Sequence, residues 1–168
     1  MSETLPSLNV LFLCTHNSAR SILAEALLNS MGQSRFKAYS AGSSPRANQQ
    51  PHPLGLQVLR SAGISTEGLR SKSWDEFAAP GAPQMDLIIT VCDNAAGEVC
   101  PVWPGHPATA HWAYADPSAS EHADAHKLEA FRQTLHEMQR RLRLLVSLPE
   151  EKLGKAVLQA TARQLVAD

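Results

Sequence analysis

Cysteine is scarce in this chain, with three in 168 residues at Cys14, Cys92 and Cys100. A small, odd number argues against a structural disulfide framework. It fits reactive thiols in a reducing compartment, so a cytoplasmic location is expected. Neither sign of charge prevails, with 15 basic and 16 acidic side chains and a net charge of −1. No broad surface for nucleic acid or membrane is therefore expected. No apolar run approaches the length of a membrane span. The opening residues Met1-Ser-Glu-Thr-Leu-Pro-Ser7 have neither the basic region nor the apolar core of a secretory signal. Internal repeats and low-complexity tracts are also missing. What remains is expected to form a single domain over 1–168, with a core from about 8 to 147 and an extension over about 150–168.

The chemistry concentrates near the N-terminus. Asn9-Val-Leu-Phe-Leu13 reads as a buried strand that stops at Cys14. A loop of Thr15, His16, Asn17, Ser18 and Ala19 leads to Arg20 and Ser21. Ser21-Ile-Leu-Ala-Glu-Ala-Leu-Leu28 then reads as a helix, with Ile22, Leu23, Ala26 and Leu27 at helical spacing. A strand, a tight loop and a helix N-terminus make an oxyanion cradle, because backbone N–H groups converge there and the helix dipole favours negative charge. Arg20 adds a planar fork that grips two oxygens of a tetrahedral anion. The same positive field favours a thiolate at Cys14, and Ser21 can donate a hydrogen bond to it. The loop lacks the Gly-Lys-Ser/Thr ending of a nucleotide-binding loop, which argues against ATP or GTP.

Strands and helices alternate along the rest of the chain. Met31-Gly32 closes the first helix, with Gly32 read as a left-handed terminator. Phe36 to Ala41 is a second strand, followed by a loop through Pro45, Asn48 and Pro51. Leu54 to Ala62 is a helix with Leu54, Val58, Leu59 and Ala62 facing inward and Gly63 at its end. Trp74 to Phe77 reads as a helical turn, Asp86 to Val91 as a third strand and Thr109 to Trp112 as a short fourth. Leu128, Phe131, Leu135, Met138, Leu142 and Leu145 mark a long helix over Ala123 to Val146. Lys152 to Val166 reads as a further helix. This order implies a parallel sheet covered on both faces, with its functional loops at the carboxyl ends of the strands. Cys14, Ser40, Cys92 and Asp116 all follow strand ends and can converge.

Cys14-Thr-His-Asn-Ser-Ala-Arg20-Ser21, Ser40-Ala-Gly42 and Asp116-Pro117 resemble the signatures of the low-molecular-weight protein tyrosine phosphatase family. Val91-Cys92 through Cys100-Pro101, with His111-Trp112 ahead of Asp116-Pro117, is similar to that family's arsenate reductase branch. The resemblance runs from about Val10 to Val146. It implies an α/β three-layer sandwich with a four-stranded parallel sheet flanked by helices. It also implies Cys14 as nucleophile, Arg20 as oxyanion clamp, Ser21 as thiolate stabiliser and Asn17 as the residue holding the loop in shape, aided by Ser40. His16 stands where the family commonly has glycine, and Ala19 where many thioredoxin-coupled members have a further cysteine.

The two branches differ in what they ask of the other residues. A phosphatase acting on phosphotyrosine or a small phosphomonoester needs Cys14, Arg20 and an acid, Asp116, but no second thiol. Against a phosphotyrosine specialist, Ser118-Ala119-Ser120 offers no aromatic to sandwich a substrate ring. An arsenate reductase needs a resolving thiol: Cys92 would attack Cys14, and Cys100 would then give Cys92–Cys100. The implied substrate is arsenate, with phosphate or sulfate as analogue. The implied external reductant is thioredoxin or glutathione with glutaredoxin, with no bound cofactor and a monomeric enzyme. A non-catalytic anion sensor or thiol switch would use the same cradle without turnover.

Several residues carry plainer readings. Cys92, Cys100, His106 and His111 are ligand types, yet their spacings match no compact zinc motif, and no metal is expected. Glu25 reads as ordinary helix surface, as do His122, His126 and His136, with a His126–Glu129 pair available. Trp103 either lines the site entrance or packs its loop.

Overall fold

The computed structural model describes residues 7–32, 35–92, 108–118 and 124–148. Its elements run β1 (Leu8–Cys14), α1 (Arg20–Met31), β2 (Phe36–Gly42), α2 (Pro53–Ser61), α3 (Asp75–Ala78), β3 (Leu87–Thr90), β4 (Ala108–His111) and α4 (Asp124–Val146). The four strands form one parallel sheet in the order β2-β1-β3-β4. This is the α/β sandwich that the sequence predicts. Chain order reverses direction at β1, so the crevice between the carboxyl ends of β1 and β3 is a topological switch point, where such sheets bind ligands. Leu13 pairs with Thr90 across that boundary, and Cys14 follows directly.

Alternation along β1 separates two cores, because successive strand side chains point to opposite faces. Val10, Phe12 and Cys14 face the larger one with Leu23 and Leu27 of α1, Val58 and Leu59 of α2 and Phe131, Leu135 and Met138 of α4. Leu11 and Leu13 face a smaller one with Ala41, Met85 and Ile88, against which Trp74 and Phe77 pack. α2 approaches α4 closely enough that a Cβ on Gly55 would lie 3.3 Å from the Phe131 ring. No helix among the described residues is long and apolar enough to cross a membrane.

Two local expectations are corrected. Gly32 is not left-handed: its φ is −79°, and it is needed for room, since a Cβ would come within 2.8 Å of Leu28 O and Phe36 Cβ. Ala62 is exposed rather than inward, because α2 ends at Ser61 and the chain turns away through Gly63 at φ +75°. Glu129 pairs with Arg132 at 2.7 Å. Cys100, Trp103, His106, His122 and the helix expected over Lys152–Val166 lie outside the described residues.

Candidate active site

The loop from Cys14 to Arg20 is held from below and within. Below it lies Gly42, the last residue of β2, where an added Cβ would sit 2.6 Å from Thr15 O and 2.9 Å from the His16 carbonyl carbon. Only glycine allows the loop backbone that close. Ser43 N donates to Cys14 O at 3.1 Å and Ser44 N to Thr15 O at 2.8 Å, so the chain leaving β2 stitches the loop's first half. His52 N donates to Ser18 O at 2.9 Å and ties down the second half. The left-handed turn that a glycine at position 16 would suggest falls one residue later, on Asn17 at φ 58°. Asparagine tolerates that region better than most residues. His16 therefore keeps an ordinary backbone.

Within the loop, Asn17 and Ser21 converge on the sulfur. Asn17 N donates to Cys14 Sγ at 3.2 Å. Ser21 Oγ lies 2.9 Å from Sγ and accepts from Asn17 Nδ2 at 2.8 Å. While its oxygen accepts from the amide, the Ser21 hydroxyl hydrogen can still be given to the sulfur. Cys14 is a free thiol, and like Asn17 and Ser21 it is buried. Two donors aimed at one sulfur suit a thiolate.

The positive side of the site comes from α1. No side chain caps its N-terminus and its first turn holds no acidic residue, so the positive end of the helix faces the loop. Arg20, the first residue of α1, is buried with it. Its guanidinium donates to Tyr114 O at 2.9 Å and lies 3.9 Å from Asp116 Oδ2. Asp116 is fixed by its other oxygen, which accepts from Ser118 N at 2.9 Å and Ser118 Oγ at 2.7 Å. Its carboxylate is 31% exposed at the mouth of a cleft of about 690 Å³. His16, Ser18, Arg46, His52 and Ser118 share that lining. The cleft thus has a positive helix end, a guanidinium and a carboxyl group close to a buried free thiol.

The structure thus gathers Cys14, Asn17, Arg20, Ser21 and Asp116. Cys92 is buried just beyond the end of β3, beside β1, and is disulfide-bonded. Ser40 stands one step back: its hydroxyl donates to Glu25 Oε1 at 2.5 Å rather than to the loop. Glu25 itself corrects the surface reading. It is largely buried, and burial pushes its carboxyl above the usual range even though Lys72 Nζ lies 3.7 Å away. Lys72 and Gly42 are the residues that sequence reasoning missed or left unexplained. A signal existed for Glu25, the only charge between Ser21 and Met31, set in the apolar run Ile22-Leu-Ala-Glu-Ala-Leu-Leu28. None existed for Lys72. His111 Nδ1 contacts Thr90 Oγ1 at 2.6 Å, and no group of three or more metal-ligating side chains occurs among the described residues.

This sulfur-centred cradle at the switch point of a β2-β1-β3-β4 sheet has close counterparts. The family model of the low molecular weight phosphotyrosine protein phosphatases matches residues 9–159, and the chain belongs to that family. The match reaches ten residues into the segment read from sequence as an extension. Within the family, the chain is 31% identical over 134 residues to an arsenate reductase of Halalkalibacterium halodurans, covering 80% of this chain and 91% of that protein. The structure of an arsenate reductase from Archaeoglobus fulgidus superposes with a TM-score of 0.67 at 30% identity, covering 83% of this chain and 99% of the other. A thioredoxin-dependent arsenate reductase of Corynebacterium glutamicum matches with a TM-score of 0.54 at 28% identity, covering 83% of this chain and 64% of that one.

Proposed function

We propose that this chain reduces arsenate to arsenite by a thiol relay that begins at Cys14. One observation carries the reading: the sulfur in the cradle is a free thiol while Cys92, at the end of the neighbouring strand, is in a disulfide. A phosphatase has no use for that second sulfur. The relatives named arsenate reductases support the same choice.

In this reading the Cys14 thiolate attacks arsenic, a sulfur–arsenic bond forms, and one oxygen leaves as water with a proton from Asp116. Arg20 and the loop amides hold the remaining oxygens, as they would hold phosphate or sulfate. The Cys92 thiolate then attacks Cys14 Sγ. The new S–S bond replaces the S–As bond, whose electron pair stays on arsenic and leaves it as arsenite. Cys100, the remaining cysteine of the chain, attacks Cys92, giving Cys92–Cys100 and returning Cys14 as thiolate. That end point matches the free state of Cys14. An external dithiol of the thioredoxin kind supplies two electrons to reset the pair. Glutathione with glutaredoxin is the other reductant to test.

The test is arsenate-dependent NADPH oxidation coupled either to thioredoxin and its reductase or to glutathione, glutaredoxin and glutathione reductase. Turnover is expected with the thioredoxin system and lost in Cys14→Ser and Cys92→Ser. Cys92→Ser is still expected to form the arsenic adduct at Cys14, visible by intact-mass analysis. Silence with both systems, together with aryl phosphate hydrolysis that Asp116→Asn slows by about 10²–10⁴-fold, would replace this reading by phosphatase chemistry.

A further inference from the structure

Glu25 and Lys72 form a charged pair behind the loop for which the relay above has no role. The two side chains are 15% and 8% exposed. Lys72 Nζ donates to Ser40 O at 2.8 Å and lies 3.4 Å from Asn17 Oδ1 and 3.5 Å from Ser40 Oγ. Lys72 N also donates to Asn17 Oδ1, at 2.9 Å. The pair thus joins α1, β2 and the loop at a single ammonium. A buried ion pair is a poor source of stability, since desolvating two charges offsets most of their attraction. Both partners carry that cost: burial holds the Glu25 carboxyl high and the Lys72 ammonium low. What the pair does have is the amide of Asn17, and that amide leads to the sulfur.

We propose that Lys72 is a positioning residue for the Cys14 nucleophile, its ammonium polarising a hydrogen-bond chain that runs through Asn17 and Ser21 to the sulfur. The links are Lys72 Nζ to Asn17 Oδ1 at 3.4 Å, Asn17 Nδ2 to Ser21 Oγ at 2.8 Å, and Ser21 Oγ to Cys14 Sγ at 2.9 Å. A cation at the carbonyl end of an amide draws electron density toward the oxygen and makes the N–H end a stronger donor. A hydroxyl that accepts from a stronger donor is itself a stronger donor. Such chains strengthen cooperatively in a low-dielectric interior. Negative charge on sulfur is thereby met, two side chains away, by a fixed positive charge that never touches the substrate.

The charged groups facing Lys72 are few. Glu25 comes from α1, while Arg70 and Glu76 lie at the rim of the adjoining cleft of about 360 Å³. Those two are joined to each other at 2.6 and 2.9 Å.

The inference rests on Cys14 being the nucleophile, so its test reads the sulfur without arsenate or a reductant. The rate of Cys14 alkylation by iodoacetamide is followed from pH 5 to 10 on the full chain, with the modified peptide quantified by mass spectrometry. Lys72→Met should move the profile to higher pH and slow alkylation at pH 7 by about three- to tenfold. Because that variant strands Glu25 in the interior, Glu25→Gln/Lys72→Met is measured beside it; it buries no unpaired charge and is expected to fold. If Lys72 acts through Asn17, the double variant keeps the displaced profile. If Lys72 merely neutralises Glu25, the double variant returns to the wild-type profile, and the proposal fails. A wild-type profile in a folded Lys72→Met also overturns it. Failure of the arsenate assay would leave these outcomes readable, since none depends on turnover.

Discussion

Gly42 has no freedom to become anything else. Its backbone is ordinary, but the space a Cβ would need is filled by Thr15 O at 2.6 Å and Asn17 N at 3.0 Å. Both are backbone atoms of the cradle, so they cannot swing aside as a side chain would. Gly42→Ala is expected to lift the loop, lowering phosphate or arsenate affinity at least tenfold by calorimetry. Overpacking of this kind costs about 1–3 kcal/mol, which thermal unfolding would show. Equal affinity in the variant would mean that the loop tolerates the shift. The same site shows what single residues do and do not disclose in sequence. Cys14, Arg20 and Ser21 were legible because they lie within one short segment between a strand and a helix. Lys72 was not, because 55 residues separate it from the Asn17 side chain it contacts and nothing local in Arg70-Ser-Lys-Ser marks it. It arrives through tertiary pairing alone: Gly42 N donates to Lys72 O and Trp74 N to Gly42 O, both at 2.9 Å.

Among the elements, those with strong periodicity were read with little error. The long helix α4 buries Phe131, Leu135, Met138, Leu142 and Leu145, every third or fourth residue, and it ends at Val146, where that spacing stops. The ends were harder, because a helix terminus depends on what stands near it in space. Gly32 was read as a left-handed cap from its type, yet it serves close packing against Phe36. α4 ends with a cap that its own sequence does not supply. Arg35, just before β2, donates to Val146 O at 3.0 Å and Leu148 O at 2.5 Å, so a guanidinium from another element satisfies two carbonyls at the helix end. Arg35→Ala leaves those carbonyls without their donor and removes a positive charge from the negative end of the dipole. A loss of about 1–2 kcal/mol in chemical denaturation is expected, with faster amide exchange confined to the last turn of α4. Unchanged exchange there would mean that water replaces the guanidinium at no cost.

At the scale of the whole molecule, the parallel sheet and its switch point follow from the alternation of strands and helices, whereas the ties that bind the site to the distant helix do not. Tyr114 is one such tie. Its carbonyl receives Arg20 at 2.9 Å, and its hydroxyl receives Arg141 of α4 at 3.1 Å. The Arg141 guanidinium also lies over the Tyr114 and Trp112 rings, 5.1 and 5.6 Å from their centroids. Burial pushes the Tyr114 phenol from its ordinary 10.0 up to about 12, despite the opposing pull of Arg141. A group raised in the folded state stabilises fully below its unfolded value and loses that contribution as pH climbs through the folded one. The fold should therefore weaken between pH 10 and 12 by on the order of 3 kcal/mol from Tyr114 alone. Tyr114→Phe removes the titrating hydroxyl. It should be less stable than wild type at pH 8, by about 1 kcal/mol for the lost hydrogen bond, yet fall less steeply across the alkaline window. Denaturant midpoints of the two proteins from pH 8 to 12 measure the difference directly, with other titrating groups cancelling between them. Parallel curves would show that the phenolate is solvated without opening the contact between α4 and the segment that carries Asp116.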